Sequence, residues 1–131
     1  MVYLNGRLPV GVAAMNLDGV HMHVSATAKK SVVSSETRLH LRQKGSRVLG
    51  RYSGGAVERG CLVGRLSGPE LVFRYTQRET SGEIHGGRSI CEVQRLNDGR
   101  TRIVEHFTWS TRQGSGTNVF DEIVDTPESR F

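Results

Sequence analysis

The sequence lacks any long hydrophobic run. No stretch approaches the roughly 18 apolar residues needed to span a bilayer, and no charged region leads into an apolar one near its start. A soluble, cytoplasmic protein with no membrane partner is therefore expected. Cysteine is scarce: Cys61 and Cys91 are the only two, and they lack metal-ligand spacing, so neither a disulfide scaffold nor a multi-cysteine metal centre fits. No segment shows a sustained helical period, and no nucleophile triad, phosphate-cradling loop or metalloprotease signature appears. No cofactor and no metal is called for. Lysine is also rare, with three against fifteen arginines, and the net charge is +5. Such a balance invites a nucleic-acid partner. The arginines are scattered singly, however, with no basic run beyond Lys29-Lys30, which disfavours that partner and suits a solvated surface.

What the chain does have is alternation. Residues 100–110, Arg100 to Ser110, read as a strand that places Ile103, Glu105, Phe107 and Trp109 on one face. An acid within an aromatic row must be paired, protonated or facing a cavity. Further strands are expected at Val20–Val24, Thr37–Gln43, Arg47–Ser53, Val57–Leu66, Glu70–Glu79, Glu83–Leu96 and Thr117–Val124. Gly54-Gly55 and Asn97-Asp98-Gly99 mark tight turns, because glycine reaches positive φ without steric cost. Eight sequential strands joined by short turns predict an all-β fold, an antiparallel up-and-down barrel. An open sandwich is the alternative. Residues 1–14 read as an N-terminal extension with Met15 as an alternative start, 15–125 as the barrel domain and 126–131 as a C-terminal tail.

Several motifs in order, Asn16-Leu17-Asp18-Gly19, Ser35-Glu36-Thr37, Gln43-Lys44-Gly45, Tyr52-Ser53-Gly54-Gly55, Gly60-Cys61-Leu62-Val63-Gly64, Phe73-Arg74-Tyr75, Asp98-Gly99-Arg100 and Glu105-x-Phe107-x-Trp109-Ser110, are followed by a closing Asp121-Glu122. This series resembles a family of small bacterial proteins often labelled N-acetylglutamate synthase. Phe107 stands where that family usually has tryptophan. The resemblance implies a small calycin-like barrel. The activity in the label finds no support in the residues: acetyl-coenzyme A needs a pyrophosphate cradle leading into a helix, whereas Arg42-Gln43-Lys44-Gly45-Ser46-Arg47 joins two predicted strands.

If the Asn97-Asp98-Gly99 turn pairs Leu96 with Arg100, then Glu105 faces Cys91, Phe107 faces Ser89, Ile103 faces Val93 and Trp109 faces Gly87. The inner wall then holds Trp109, Phe107, Tyr75, Phe73, Ser89 and Cys91 around Glu105. Few polar groups in an apolar hollow suit a small-molecule site. Glu105 is the candidate catalytic or anchoring residue, with an inward Arg88 or Arg51, or a tyrosine, as its structural partner. Cys91 has no activating base in its own strand and reads as a buried thiol. The leading expectation is a barrel holding a small, largely apolar molecule. Its rival is an isomerase or cyclase that uses Glu105 for acid–base chemistry on a biosynthetic intermediate. Barrels of this size often form homodimers, yet no long apolar outer stripe is evident in the sequence.

Overall fold

A computed structural model of the chain describes residues 15–124. Eight strands follow in chain order: β1 (His21–Ala26), β2 (Arg38–Lys44), β3 (Arg47–Gly54), β4 (Val57–Ser67), β5 (Glu70–Glu79), β6 (Ile84–Arg95), β7 (Thr101–Trp109) and β8 (Ser115–Glu122). Each pairs antiparallel with the next, and β1 pairs with β8, so the sheet closes into a barrel. Closure leaves no unpaired edge and rules out the open sandwich. The expected 1–14 extension and 126–131 tail lie outside the described residues. No helix among the described residues is long and apolar enough to cross a membrane.

The period of two drives this arrangement. On β5, buried and exposed residues alternate without a break from Glu70 to Glu79, and β7 buries Ile103, Glu105, Phe107 and Trp109. The turn between β6 and β7 follows its sequence: Leu96 N–H donates to Arg100 O at 2.8 Å, Gly99 takes φ of 91°, and Asp98 accepts from Arg100 N–H at 3.0 Å. The resulting register pairs Cys91 with Glu105, Ser89 with Phe107, Val93 with Ile103 and Gly87 with Trp109, as the sequence predicts.

Inward glycines seat the aromatic rings. Tyr52 lies across from Gly60, Phe73 from Gly64, Tyr75 and Trp109 from Gly87, and Phe107 from Gly116. A Cβ on Gly60 would stand 2.3 Å from the Tyr52 ring, and one on Gly87 would stand 2.5 Å from the Tyr75 hydroxyl. Glycine thus leaves the width that a neighbouring ring fills.

The two ends of the barrel are closed differently. At one end Leu17, fully buried, plugs the core; its N–H donates to Gln43 Oε1 at 2.8 Å, while Asp18 Oδ1 accepts from Gln43 N–H at 2.9 Å. At the other end, the β1–β2 connection crosses the opening as a strap over residues 27–37. Its Ala28, Val32 and Val33 pack half-buried against the core.

Candidate functional site

The lumen beneath the strap is lined by Leu39, Leu41, Leu62, Leu71, Phe73, Ile103, Phe107, Trp109 and Phe120, with Val32 and Val33 overhead. Only Ser31, Tyr52, Tyr75, Gln77, Glu105 and Asn118 add polar groups. The cavity measures about 40 Å³, enough for a few water-sized atoms. A larger guest needs the room that Ser31, Val32 and Val33 now occupy.

Glu105 lies 6% exposed on β7. Ser89 Oγ–H donates to its Oε2 at 2.6 Å and Asn118 Nδ2–H to its Oε1 at 2.9 Å. Burial raises the pKa of its carboxyl above the ordinary range, and the bonds from Ser89 and Asn118 only partly oppose that rise. The arginine partners suggested by the sequence do not reach it. Arg88 and Arg51 are exposed on the outer surface, because Arg88 stands between the inward Gly87 and Ser89 and alternation turns it outward. Arg88 therefore does not line the lumen.

The other expected residues face inward. Phe73 and Tyr75 lie edge to face with centroids 6.2 Å apart, Tyr75 and Trp109 at 5.3 Å, and Phe107 and Trp109 at 6.0 Å. Ser89 is buried behind Glu105 and Cys91 is buried beside it. Burial, with the neighbouring Glu105 adding to it, raises the pKa of the Cys91 thiol and keeps it protonated. Tyr75 is distinct from all of these. Its hydroxyl is buried and, among the described residues, has no hydrogen-bond partner. Burial and then Glu105 raise the pKa of this phenol, so it is a neutral donor.

Several participants were not singled out from sequence. Tyr52 Oη–H donates to Gln77 Oε1 at 2.9 Å, Gln77 Nε2–H donates to Glu79 Oε2 at 2.9 Å, and Arg112 Nη2–H donates to Glu79 Oε1 at 2.9 Å. This chain runs from the lumen to the rim, where the Arg112 guanidinium lies 4.7 Å from the Trp109 ring centre. Burial pushes the Glu79 pKa up, but the bonds from Arg112 and Gln77 outweigh it and leave the carboxyl below its ordinary value. Alternation could have flagged Tyr52, Gln77 and Asn118, since each occupies an inward position. The strap could not have been found that way. Trp109 Nε1–H donates to Lys30 O at 2.9 Å across 79 residues of sequence, and Ala28 N–H donates to Asn118 Oδ1 at 3.4 Å.

Glu79, Glu83 and His85 bring potential metal ligands within 4.8 Å of one another. Arg112 already lies 2.9 Å from Glu79 and 3.8 Å from Glu83, so a guanidinium fills the place a cation would take.

A closed eight-stranded barrel with a ring-lined lumen and a strap over its mouth agrees with the comparison of the chain against protein families. The model of the avidin-like protein family matches residues 15–123. The chain belongs to the avidin-like family. Neither the curated proteins nor the solved structures compared with it gave a match. In this avidin-like barrel the calycin-like architecture expected from sequence is present, and a small-molecule-binding lumen fits the family.

Proposed function

We propose that the lumen holds one small, largely apolar molecule that offers a hydrogen-bond acceptor to Tyr75, with Trp109, Phe107 and Phe73 as walls. The observation that carries this reading is the Tyr75 hydroxyl, buried and without a partner among the described residues. Leaving such a donor unpaired costs about 1–3 kcal/mol, and a carbonyl or ether oxygen on a guest removes that cost. The expected anchor, Glu105, has both oxygens engaged by Ser89 and Asn118, so it shapes the floor and Tyr75 meets the guest. The buried end of the guest is not anionic, because among the described residues no Lys, Arg or His lines the lumen. Entry is from the strap side, where Ser31, Val32 and Val33 must give way.

Native mass spectrometry of the purified protein, followed by titration of the Trp109 emission with biotin and with the co-purified molecule, tests this reading. Tyr75→Phe should keep the fold and weaken the guest at least tenfold. Equal affinity in Tyr75→Phe, or a protein in which no small molecule alters Trp109, would rule it out.

One observation favours a second reading. A carboxyl whose pKa burial raises in an apolar cavity is suited to give and take a proton, as an isomerase or cyclase requires, and Glu105 lines the cavity. Glu105→Gln separates the two: turnover lost while affinity stays within about tenfold supports proton transfer, and affinity unchanged with no turnover in either protein supports binding alone.

A further inference from the structure

The arginines that look scattered along the sequence are gathered by the barrel. On the outer face of β3 to β6, Arg47 stands directly opposite Arg65, Arg74 opposite Arg88, and Arg59 opposite Arg78. Lys44 extends the first pair from β2. Like charges directly across a strand destabilise a sheet. Among the described residues, none of Arg47, Arg65, Arg74 or Arg88 is paired with a carboxylate.

Between these pairs lies an aliphatic patch. Leu49 faces Val63 and Val72 faces Ile90, and their exposures are 47%, 56%, 39% and 57%. No such outer stripe was evident in the sequence, because each residue belongs to a different strand. A shallow hollow of about 930 Å³ runs over Val63, Val72 and Ile90, flanked by Arg47, Arg65, Arg74 and Arg88.

We infer that this face docks an acidic protein segment that presents aliphatic side chains between carboxylates. An apolar centre flanked by arginines is the usual anatomy of a protein interface, and guanidinium pairs suit carboxylates in bidentate geometry. The barrel is closed, so the segment binds through side chains and not by adding a strand. Nucleic acid is a poorer fit: no tyrosine, phenylalanine or tryptophan faces outward here to stack on a base, and the aliphatic centre offers nothing to phosphate. A second copy is poorer too. Lys44, Arg47, Arg51, Arg59, Arg65, Arg74, Arg78 and Arg88 share the outer face with Glu58, Glu70 and Glu92, of which Glu58 is held by Arg78, so self-pairing would set cation mostly against cation.

The test uses the full chain and a fluorescein-labelled twelve-residue peptide of alternating Glu and Leu, with a twenty-residue oligothymidine, phosphatidylserine vesicles and size-exclusion light scattering alongside. The peptide should bind, more weakly as salt rises. Arg74→Thr with Arg88→Thr, and separately Val72→Thr with Ile90→Thr, should each weaken it at least tenfold. The arginine pair should leave the melting temperature equal or higher, because it removes a like-charge rung that serves the partner. Peptide affinity indifferent to both pairs, tighter binding of oligothymidine or vesicles, a dimer abolished by the same substitutions, or a melting temperature lowered by the arginine pair would each overturn the inference.

Discussion

Glu105→Gln tests the electrostatic reading of the lumen directly. In the folded barrel, desolvation raises the Glu105 pKa above its ordinary value of 4.5, whereas in the unfolded chain the group ionises near that value. A raised folded pKa contributes stability that is complete below about pH 4.5 and is lost as pH rises through the folded value. Within that window the loss approaches about 1.4 kcal/mol per pH unit. Glutamine preserves the shape and the Asn118 bond: its Oε1 accepts from Asn118 Nδ2–H where the carboxyl now accepts at 2.9 Å, while its Nε2–H donates to Ser89 Oγ, reversing the bond that Ser89 now donates at 2.6 Å. Every other titrating group is common to both proteins and cancels in the difference. Urea denaturation at pH 4.5, 5.5 and 6.5, followed by the emission of the single tryptophan, Trp109, should show the variant gaining on the wild type as pH rises. A constant difference would mean that Glu105 titrates alike in both states. A difference that shrinks would mean that Ser89 and Asn118 hold a charged carboxylate, and the neutral lumen would have to be abandoned.

The opposite sign is expected at Asp121. Its bonds from Arg102 at 2.7 and 3.0 Å hold its carboxyl below the ordinary range, so its contribution is present above the unfolded value and is lost as pH falls through the folded one. Asp121→Asn should flatten part of the acid limb of a stability profile. Thr37→Val should cost about 1–3 kcal/mol in denaturant midpoint analysis, because the buried hydroxyl accepts from Ser34 N–H at 3.0 Å and donates to Gly54 O at 3.2 Å; no loss would show that these bonds do not hold the foot of the strap. Gly64→Ala should prevent a native melt, since the new Cβ would meet Val72 O at 2.1 Å and the Phe73 side chain at 2.5 Å; a wild-type melting curve would show that β4 and β5 can part at that rung.

What the sequence discloses follows from what is local. The period of two fixed β7 as the strand that turns Glu105 inward, and the Asn97-Asp98-Gly99 turn set the β6–β7 register, because both depend on residues within about a dozen positions of one another. The partners of Glu105 were less accessible. Ser89 follows from the register, but Asn118 belongs to β8, whose pairing with β7 follows a connection over residues 110–114 with no strong turn signal. Arg88 does not meet the need of a buried acid for a counter-charge, because alternation turns it outward between Gly87 and Ser89. In fact two neutral hydrogen-bonding side chains, Ser89 and Asn118, serve the acid.

Charge on the outside and polarity on the inside share one geometric cause. Closing the sheet converts positions far apart in sequence into adjacent rungs, so Arg47 and Arg65 meet across β3 and β4 just as Tyr75 and Gly87 meet across β5 and β6. Inside, the glycines opposite the rings give Tyr75 a place where its hydroxyl has no acceptor among the described residues. Outside, the same rung geometry puts guanidinium beside guanidinium with no carboxylate between them. Each is a local cost that folding alone does not repay, and like-charge rungs and unpaired buried donors are otherwise selected against because they lower stability. A guest in the lumen and an acidic segment on the β3–β6 face would each relieve one of these costs without any change in the backbone. Binding at the two places is then independent to first order, and Tyr75→Phe should leave peptide affinity intact while Arg74→Thr with Arg88→Thr leaves the Trp109 titration intact.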